Sequence, residues 1–202
     1  MFRDDGAGGL FTEIDSADIN NLPALRSHTT TFDVTDTSKL FKFYMRAENS
    51  IGFVETGIVE FVLAAVPSKP TTRPTQNLAF SSQSTIHADY TPLSTAENGG
   101  SEILSYEVYF YDKNLQIWTS IVGGLNRFSL LTEVIYSTNI VKGETYQLKY
   151  RAWNVNGPGE FSEIGYITAA EAPSRPGTPV YISSDFDQIS LSFSPSLDDG
   201  GS

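Results

Sequence analysis

The sequence predicts an all-β protein built from two-sheet sandwiches in tandem, and three observations carry that reading. The segment Arg46-Ala47-Glu48-Asn49-Ser50-Ile51-Gly52 returns 105 residues later as Arg151-Ala152-Trp153-Asn154-Val155-Asn156-Gly157. Such a spacing exceeds any solenoid repeat and fits a whole small domain with its own core. Two proline-rich joints, Val66-Pro67-Ser68-Lys69-Pro70 and Ala172-Pro173-Ser174-Arg175-Pro176, repeat at nearly the same interval, 106 residues. Between them apolar residues recur with period 2, and no long stretch has them at i, i+3, i+4 and i+7 as an amphipathic helix would.

The joints divide the chain into 1–66, 67–172 and 173–202, with the middle part a complete repeat. Proline fixes φ and removes a ladder donor, so two prolines in four residues suit a stiff, extended connector. After the first joint, Ile86, Ala88 and Tyr90 alternate with His87 and Asp89. Tyr106, Val108 and Phe110 then alternate with Glu107 and Tyr109, and Tyr146, Leu148, Tyr150 and Ala152 with Gln147, Lys149 and Arg151. Each strand therefore has one face for a core and one for solvent. Glu97-Asn98-Gly99-Gly100, Gly123-Gly124 and Asn156-Gly157-Pro158-Gly159 supply the positive-φ positions that tight turns need. About seven short strands so spaced pack most naturally as two facing sheets.

An ordered set of motifs makes the middle repeat resemble a fibronectin type III domain. The set is a Pro-x-x-Pro start, Tyr90-Thr91-Pro92 closing strand B, and Gly99 to Phe110 running Gly-Gly-Ser-x-Ile-x-x-Tyr-x-Val-x-Phe into strand C. It continues with Trp118 on strand C′, Tyr146 through Gly157 on strand F and its turn, and Phe161-Ser162 leading to strand G. The resemblance extends to a C-terminal part of such a domain before Pro67 and to strands A and B of another after Pro173. Phe2-Arg3-Asp4-Asp5-Gly6 is aligned with Phe110-Tyr111-Asp112-Lys113-Asn114, and Asp199-Gly200-Gly201-Ser202 with Asn98-Gly99-Gly100-Ser101. Both ends are thereby expected to fall mid-domain, as in a piece of a longer array or in units that complete one another head to tail by strand donation. The family's usual Trp is replaced by Tyr90 and by Phe193. Tyr146 takes the tyrosine-corner position, where the first repeat has Phe41.

A formal charge of −11 opposes binding to nucleic acid or an anionic membrane surface. Absence of cysteine removes disulfides, thiolate nucleophiles and cysteine-ligated zinc, and leaves the compartment undetermined. The first residues show no basic region followed by an apolar stretch, and no Asn-x-Ser/Thr acceptor occurs. The apolar run Ile58–Val66 is too short and too charged to span a bilayer. His28 and His87, the two histidines, are expected to be solvent-facing and lie in different repeats. No Gly-x-Ser-x-Gly elbow or phosphate loop is present. Asp4-Asp5-Gly6 and Asp198-Asp199-Gly200 read as turn chemistry, since neither has the Asp-x-Asp-x-Asp-Gly spacing of a calcium loop.

No catalytic, cofactor or metal residue is therefore expected. The candidate interaction residues are Tyr109, Tyr111, Trp153 and Arg151, which share the non-core parity of strands C and F. They can form an outer-face aromatic patch, either for a neighbouring protein or sugar or simply as cross-strand pairs. The expected role is a non-catalytic, rod-like spacer, scaffold or adhesion segment whose partners are neighbouring repeats or other assembly components. By the resemblance, that assembly is a filament, a ciliary or cytoskeletal structure, or the cell surface. Two alternatives stay open: an accessory binding module of a carbohydrate-active enzyme or receptor, and a self-polymerising unit.

Overall fold

The computed structural model describes residues 1–14, 26–124 and 126–201; Ser202 lies outside them. In the first part, strands β1 (Phe2–Arg3), β2 (Thr12–Glu13), β3 (Leu40–Tyr44) and β6 (Val59–Val62) form one antiparallel sheet in the order β2-β1-β3-β6. Strands β4 (Arg46–Glu48) and β5 (Phe53–Glu55) pair as a hairpin beside it. The middle part holds β7 (Thr75–Gln76), β8 (Ile86–Asp89), β9 (Ser105–Asp112), β10 (Ile117–Val122), β11 (Glu133–Tyr136), β12 (Thr145–Asn154), β13 (Gly157–Pro158) and β14 (Gly165–Thr168). One sheet runs β11-β8-β7; the other runs β10-β9-β12, with β13 and β14 both on the far side of β12. In letters these are E-B-A and C′-C-F-G, the arrangement of a fibronectin type III-like sandwich. A last hairpin pairs β15 (Val180–Ser184) with β16 (Ile189–Ser192).

Strand parity explains the middle core. Ile86, Ala88, Tyr90, Tyr106, Val108, Phe110, Leu148, Tyr150 and Ala152 are all buried between the two sheets, as the alternation predicts. The core is rich in tyrosine, whose hydroxyls must find partners when buried. Tyr150 donates to the Thr91 carbonyl at 2.9 Å, Tyr90 donates to the Leu131 carbonyl at 2.5 Å, and Tyr106 accepts from the Leu93 N–H at 2.7 Å. Burial, together with the neighbouring Tyr106 and Tyr150, raises the Tyr90 phenol above its ordinary value. The corner residue Tyr146 accepts from the Val141 N–H at 2.7 Å, tying the loop before β12 to that strand.

Two sequence expectations change. His87 is not solvent-facing: the loop between β7 and β8 folds over it, and the residue is 4% exposed. Ser81 Oγ accepts from the His87 N–H and donates to its carbonyl, while the Phe80 ring lies 5.3 Å from the imidazole. The alignment of Phe2 with Phe110 is off by one residue. Arg3 pairs with Phe43 as Phe110 pairs with Leu148, so Phe2 occupies the position of Tyr109 on the outer face. The turn fixes this register, since Asp5 accepts from the Ala7 and Gly9 N–H groups as Asp112 does from those of Asn114 and Leu115. Phe2 then stacks on Tyr44 at 4.8 Å, and Arg3 turns inward with its guanidinium 4.6 Å above Phe32. The first connector is packed, with Pro67 and Pro70 buried.

The outer two parts leave apolar surface open. Met45, Val59 and Phe61 are exposed and line a cavity of about 630 Å³ together with Met1, His28 and Phe43. Val180, Ile182, Leu191 and Phe193 of the last hairpin region are exposed as well. A short 3₁₀ turn at Val34–Asp36 is capped by Asp33, which accepts from the Thr35 N–H. Among the described residues no helix is long and apolar enough to cross a membrane.

Candidate functional site

On the outer face of the β10-β9-β12 sheet, side chains of odd parity meet across the strands. Register pairs Arg151 with Glu107 and Lys149 with Tyr109, bringing residues of β9 and β12 side by side. Glu107 is 6% exposed, and its Oε2 accepts from Arg151 Nε at 2.7 Å and from Trp153 Nε1 at 3.0 Å. The Arg151 guanidinium lies 4.4 Å from the Phe161 ring centroid, 5.5 Å from that of Trp153 and 5.8 Å from that of Tyr109. Lys149 repeats the motif one step along, 4.1 Å from Trp118 and 4.4 Å from Phe161. Partial burial, then the charge of Arg151, holds the Lys149 ammonium below its ordinary value. Cations and rings thus alternate as Trp118, Lys149, Phe161, Arg151, Trp153, each contact contributing about 0.5–1 kcal/mol at a partly exposed site.

Of the sequence candidates, Tyr109, Arg151 and Trp153 meet around Phe161 and Glu107. Tyr111 stands with Trp118 at 5.3 Å, and Lys149 links that pair to the others through Phe161. Glu107 and Phe161 went unnoticed in the sequence because one reads as a solvent-facing strand carboxylate and the other as part of a loop. The first part carries a shorter version. Arg46 lies 4.8 Å from the Phe2 ring and 4.4 Å from that of Phe53, and Glu55 binds it at 2.7 Å.

A second constellation occupies the joints. At the first, the Ala65 N–H donates to the Gly99 carbonyl and the Ser68 N–H to the Glu97 carbonyl, both at 2.8 Å. At the second, the Glu171 N–H donates to the Gly200 carbonyl and the Ser174 N–H to the Asp198 carbonyl, both at 2.9 Å. Donors and acceptors occupy equivalent repeat positions, so one joint geometry occurs twice. The approach is too close for a side chain: a Cβ on Gly99 would lie 2.4 Å from the Ala65 oxygen, and one on Gly200 2.0 Å from the Glu171 oxygen. Both glycines also have positive φ, +75° and +80°, which L side chains disfavour.

Each joint adds its own side-chain clamp. Buried Asn154 uses Oδ1 to accept the Asn156 N–H in the turn after β12, and its amide donates to the Ala65 carbonyl at 2.7 Å and the Asn98 carbonyl at 2.9 Å. At the second joint Lys142 meets Asp198 at 2.6 Å and Asp199 at 3.2 Å, and Gln83 donates to Glu171 and Asp198. The Lys142 bond, the Gly200 N–H and Gln83 hold the Asp198 carboxyl down at about 2. The Asp-Asp-Gly pairs are occupied by turn bonding: Gly6 donates to Asp4, Gly200 to Asp198 and Gly201 to Asp199. His28 and His87 are not brought into one site, since His28 lines the cavity of the first part.

No family model matches the chain. Among solved structures it is similar to the chicken CNTN1 FN1-FN3 domains, at 19% identity and a TM-score of 0.49, over 78% of this chain and 53% of that one. It is also similar to domains A168-A170 from titin, at 25% identity and a TM-score of 0.42, over 65% of this chain and 41% of that one. The chain thus spans about half the length of the first structure and less of the second. The fold assignment itself rests on the strand order and the core between the two sheets.

Proposed function

We propose that the chain is a non-catalytic spacer or scaffold segment, in which successive β-sandwiches are held at a fixed relative orientation. The observation that carries this reading is the recurrence of one backbone hydrogen-bond pair at both joints. A linker that served only to tether would have no need of matched donors, matched acceptors and a glycine at the same contact twice. In each pair the Ala65 or Glu171 bond crosses between parts, whereas the Ser68 or Ser174 bond shapes the loop that receives it; the crossing bond contributes about 0.5–1.5 kcal/mol net to the docked joint. At about 1.4 kcal/mol per factor of ten, that is a preference of about 2- to 10-fold over an undocked hinge from this bond alone.

Within the same reading, the surface offered to a partner protein is the outer face carrying Tyr109, Tyr111, Arg151 and Trp153. Its rings are half-buried and already fixed by cations, so little side-chain entropy remains to be lost on contact. Small-angle scattering of the chain tests the spacer reading. A docked joint gives a profile fitted by one extended shape at low and high salt, whereas a profile that requires a broad ensemble of bent shapes rejects it.

A further inference from the structure

We propose that His87, Asp89 and Glu133 form a binding site for a single transition-metal ion of the zinc class on the outer face of the three-stranded sheet. His87 and Asp89 are two apart on β8 and so share a face. Register pairs Glu133 of β11 with Asp89, which sets it diagonally beside His87. The three donor atoms lie within 4.8 Å of one another. His87 Nε2 is 2.8 Å from Glu133 Oε2 and 3.8 Å from Asp89 Oδ1. Zinc bonds of about 2.0–2.2 Å in tetrahedral geometry separate neighbouring donors by roughly 3.3–3.6 Å. The two observed distances bracket that range, and a shift of about half an ångström by Glu133, whose side chain is 53% exposed, would meet it.

The surroundings fix the two ligands that should not move. His87 is held by Ser81 on both sides of its backbone, its carbonyl accepts the Asn77 N–H at 2.9 Å, and Phe80 covers its ring. Asn77 also donates its side-chain amide to Asp89 Oδ2 at 2.9 Å, which leaves Oδ1 facing the imidazole. This is the outer-shell orientation that metal carboxylates commonly have. One imidazole nitrogen with two carboxylates suits zinc, copper or nickel, whereas calcium asks for six to eight oxygens. Two carboxylates balance a divalent charge, and the three ligands leave a fourth position open to water or to a donor from another molecule.

The test is titration of Zn²⁺ into the chelator-treated 202-residue chain, read by calorimetry and by NMR of the two histidines. The expected result is one saturable site, a shift of the His87 imidazole signals with those of His28 unmoved, and no heat with Mg²⁺ or Ca²⁺. Glu133→Gln and Asp89→Asn, both at partly exposed positions that can stay folded, should each weaken binding by at least about tenfold, no less than losing an outer-shell partner does. The proposal is overturned if no saturable binding occurs up to about 1 mM zinc, if the variants bind as the parent does, or if the shifted histidine is His28.

Discussion

Removing the Glu107 carboxylate should unfold the middle sandwich far more readily than its place on an outer face suggests. In Glu107→Ala, Arg151 loses an acceptor at 2.7 Å and Trp153 Nε1 loses one at 3.0 Å. An orphaned indole N–H costs about 1–3 kcal/mol, and a broken buried ion pair about 3–5 kcal/mol. The second figure must be reduced here, because the Arg151 side chain remains 20% exposed and keeps the faces of Phe161, Trp153 and Tyr109. A loss of about 3 kcal/mol follows, or on the order of 10–25 °C in Tm for a domain of this size. Arg151→Ala should cost a similar amount, since it removes the counter-charge of a buried carboxylate that keeps the Trp153 N–H. The double variant should fall well short of the sum, with a coupling of about 2 kcal/mol. Urea unfolding followed by tryptophan fluorescence isolates the effect, because the two tryptophans of the sequence, Trp118 and Trp153, both sit on this face. A Glu107→Ala loss below about 0.5 kcal/mol, or strict additivity with Arg151→Ala, would refute the reasoning.

Three further outcomes are expected. Gly99→Ala places a Cβ 2.4 Å from the Ala65 oxygen and should speed amide exchange at Ala65 and Ser68 by about tenfold, one bond's worth of protection; Gly52→Ala, where nothing lies within 4 Å, serves as the neutral control. The second joint should depend on pH at both extremes, followed by NMR shifts of Glu171 and Gly200. The depressed Asp198 carboxyl stabilises the docked state above its ordinary value of 3.8 and loses that effect as pH falls through about 2. Lys142, raised first by Asp198 and then by Asp199, contributes fully below 10.5 and stops contributing as pH rises through its higher folded value. Tyr146→Phe leaves the Val141 N–H without its 2.7 Å acceptor and should cost about 0.5–1.5 kcal/mol in the same urea assay, whereas no loss would mean that water replaces the hydroxyl.

What the sequence made legible was whatever a single strand can encode. Alternation at Tyr106, Val108 and Phe110 and at Tyr146 to Ala152 picks out the buried face, because parity is a local property. The same rule misassigned Glu107 and His87, since it says which sheet face a residue is on and not what later covers that face. Trp153 reaches Glu107 from the neighbouring strand β12, while Phe161 over Arg151, and Phe80 and Ser81 over His87, come from loops whose path is set by tertiary packing. The patch residues Tyr109, Arg151 and Trp153 were found by parity, but the carboxylate that organises them was not. Joint glycines were visible as turn residues. Their second role at Gly99 and Gly200, close approach to the preceding connector, emerges only when the two joints are superposed. The slip at Phe2 has a similar origin: matching phenylalanines outweighed the Asp5 turn that sets the register.

The fixed joint is tested most directly by a distance distribution across it. The sequence contains no cysteine, so Glu48→Cys with Thr138→Cys accepts two spin labels and no others. Pulsed electron resonance should return one narrow distance, no wider than the labels' own motion produces, and Gly99→Ala should broaden it. A broad distribution in the otherwise unaltered chain, unchanged by Gly99→Ala, would contradict a spacer with set joints.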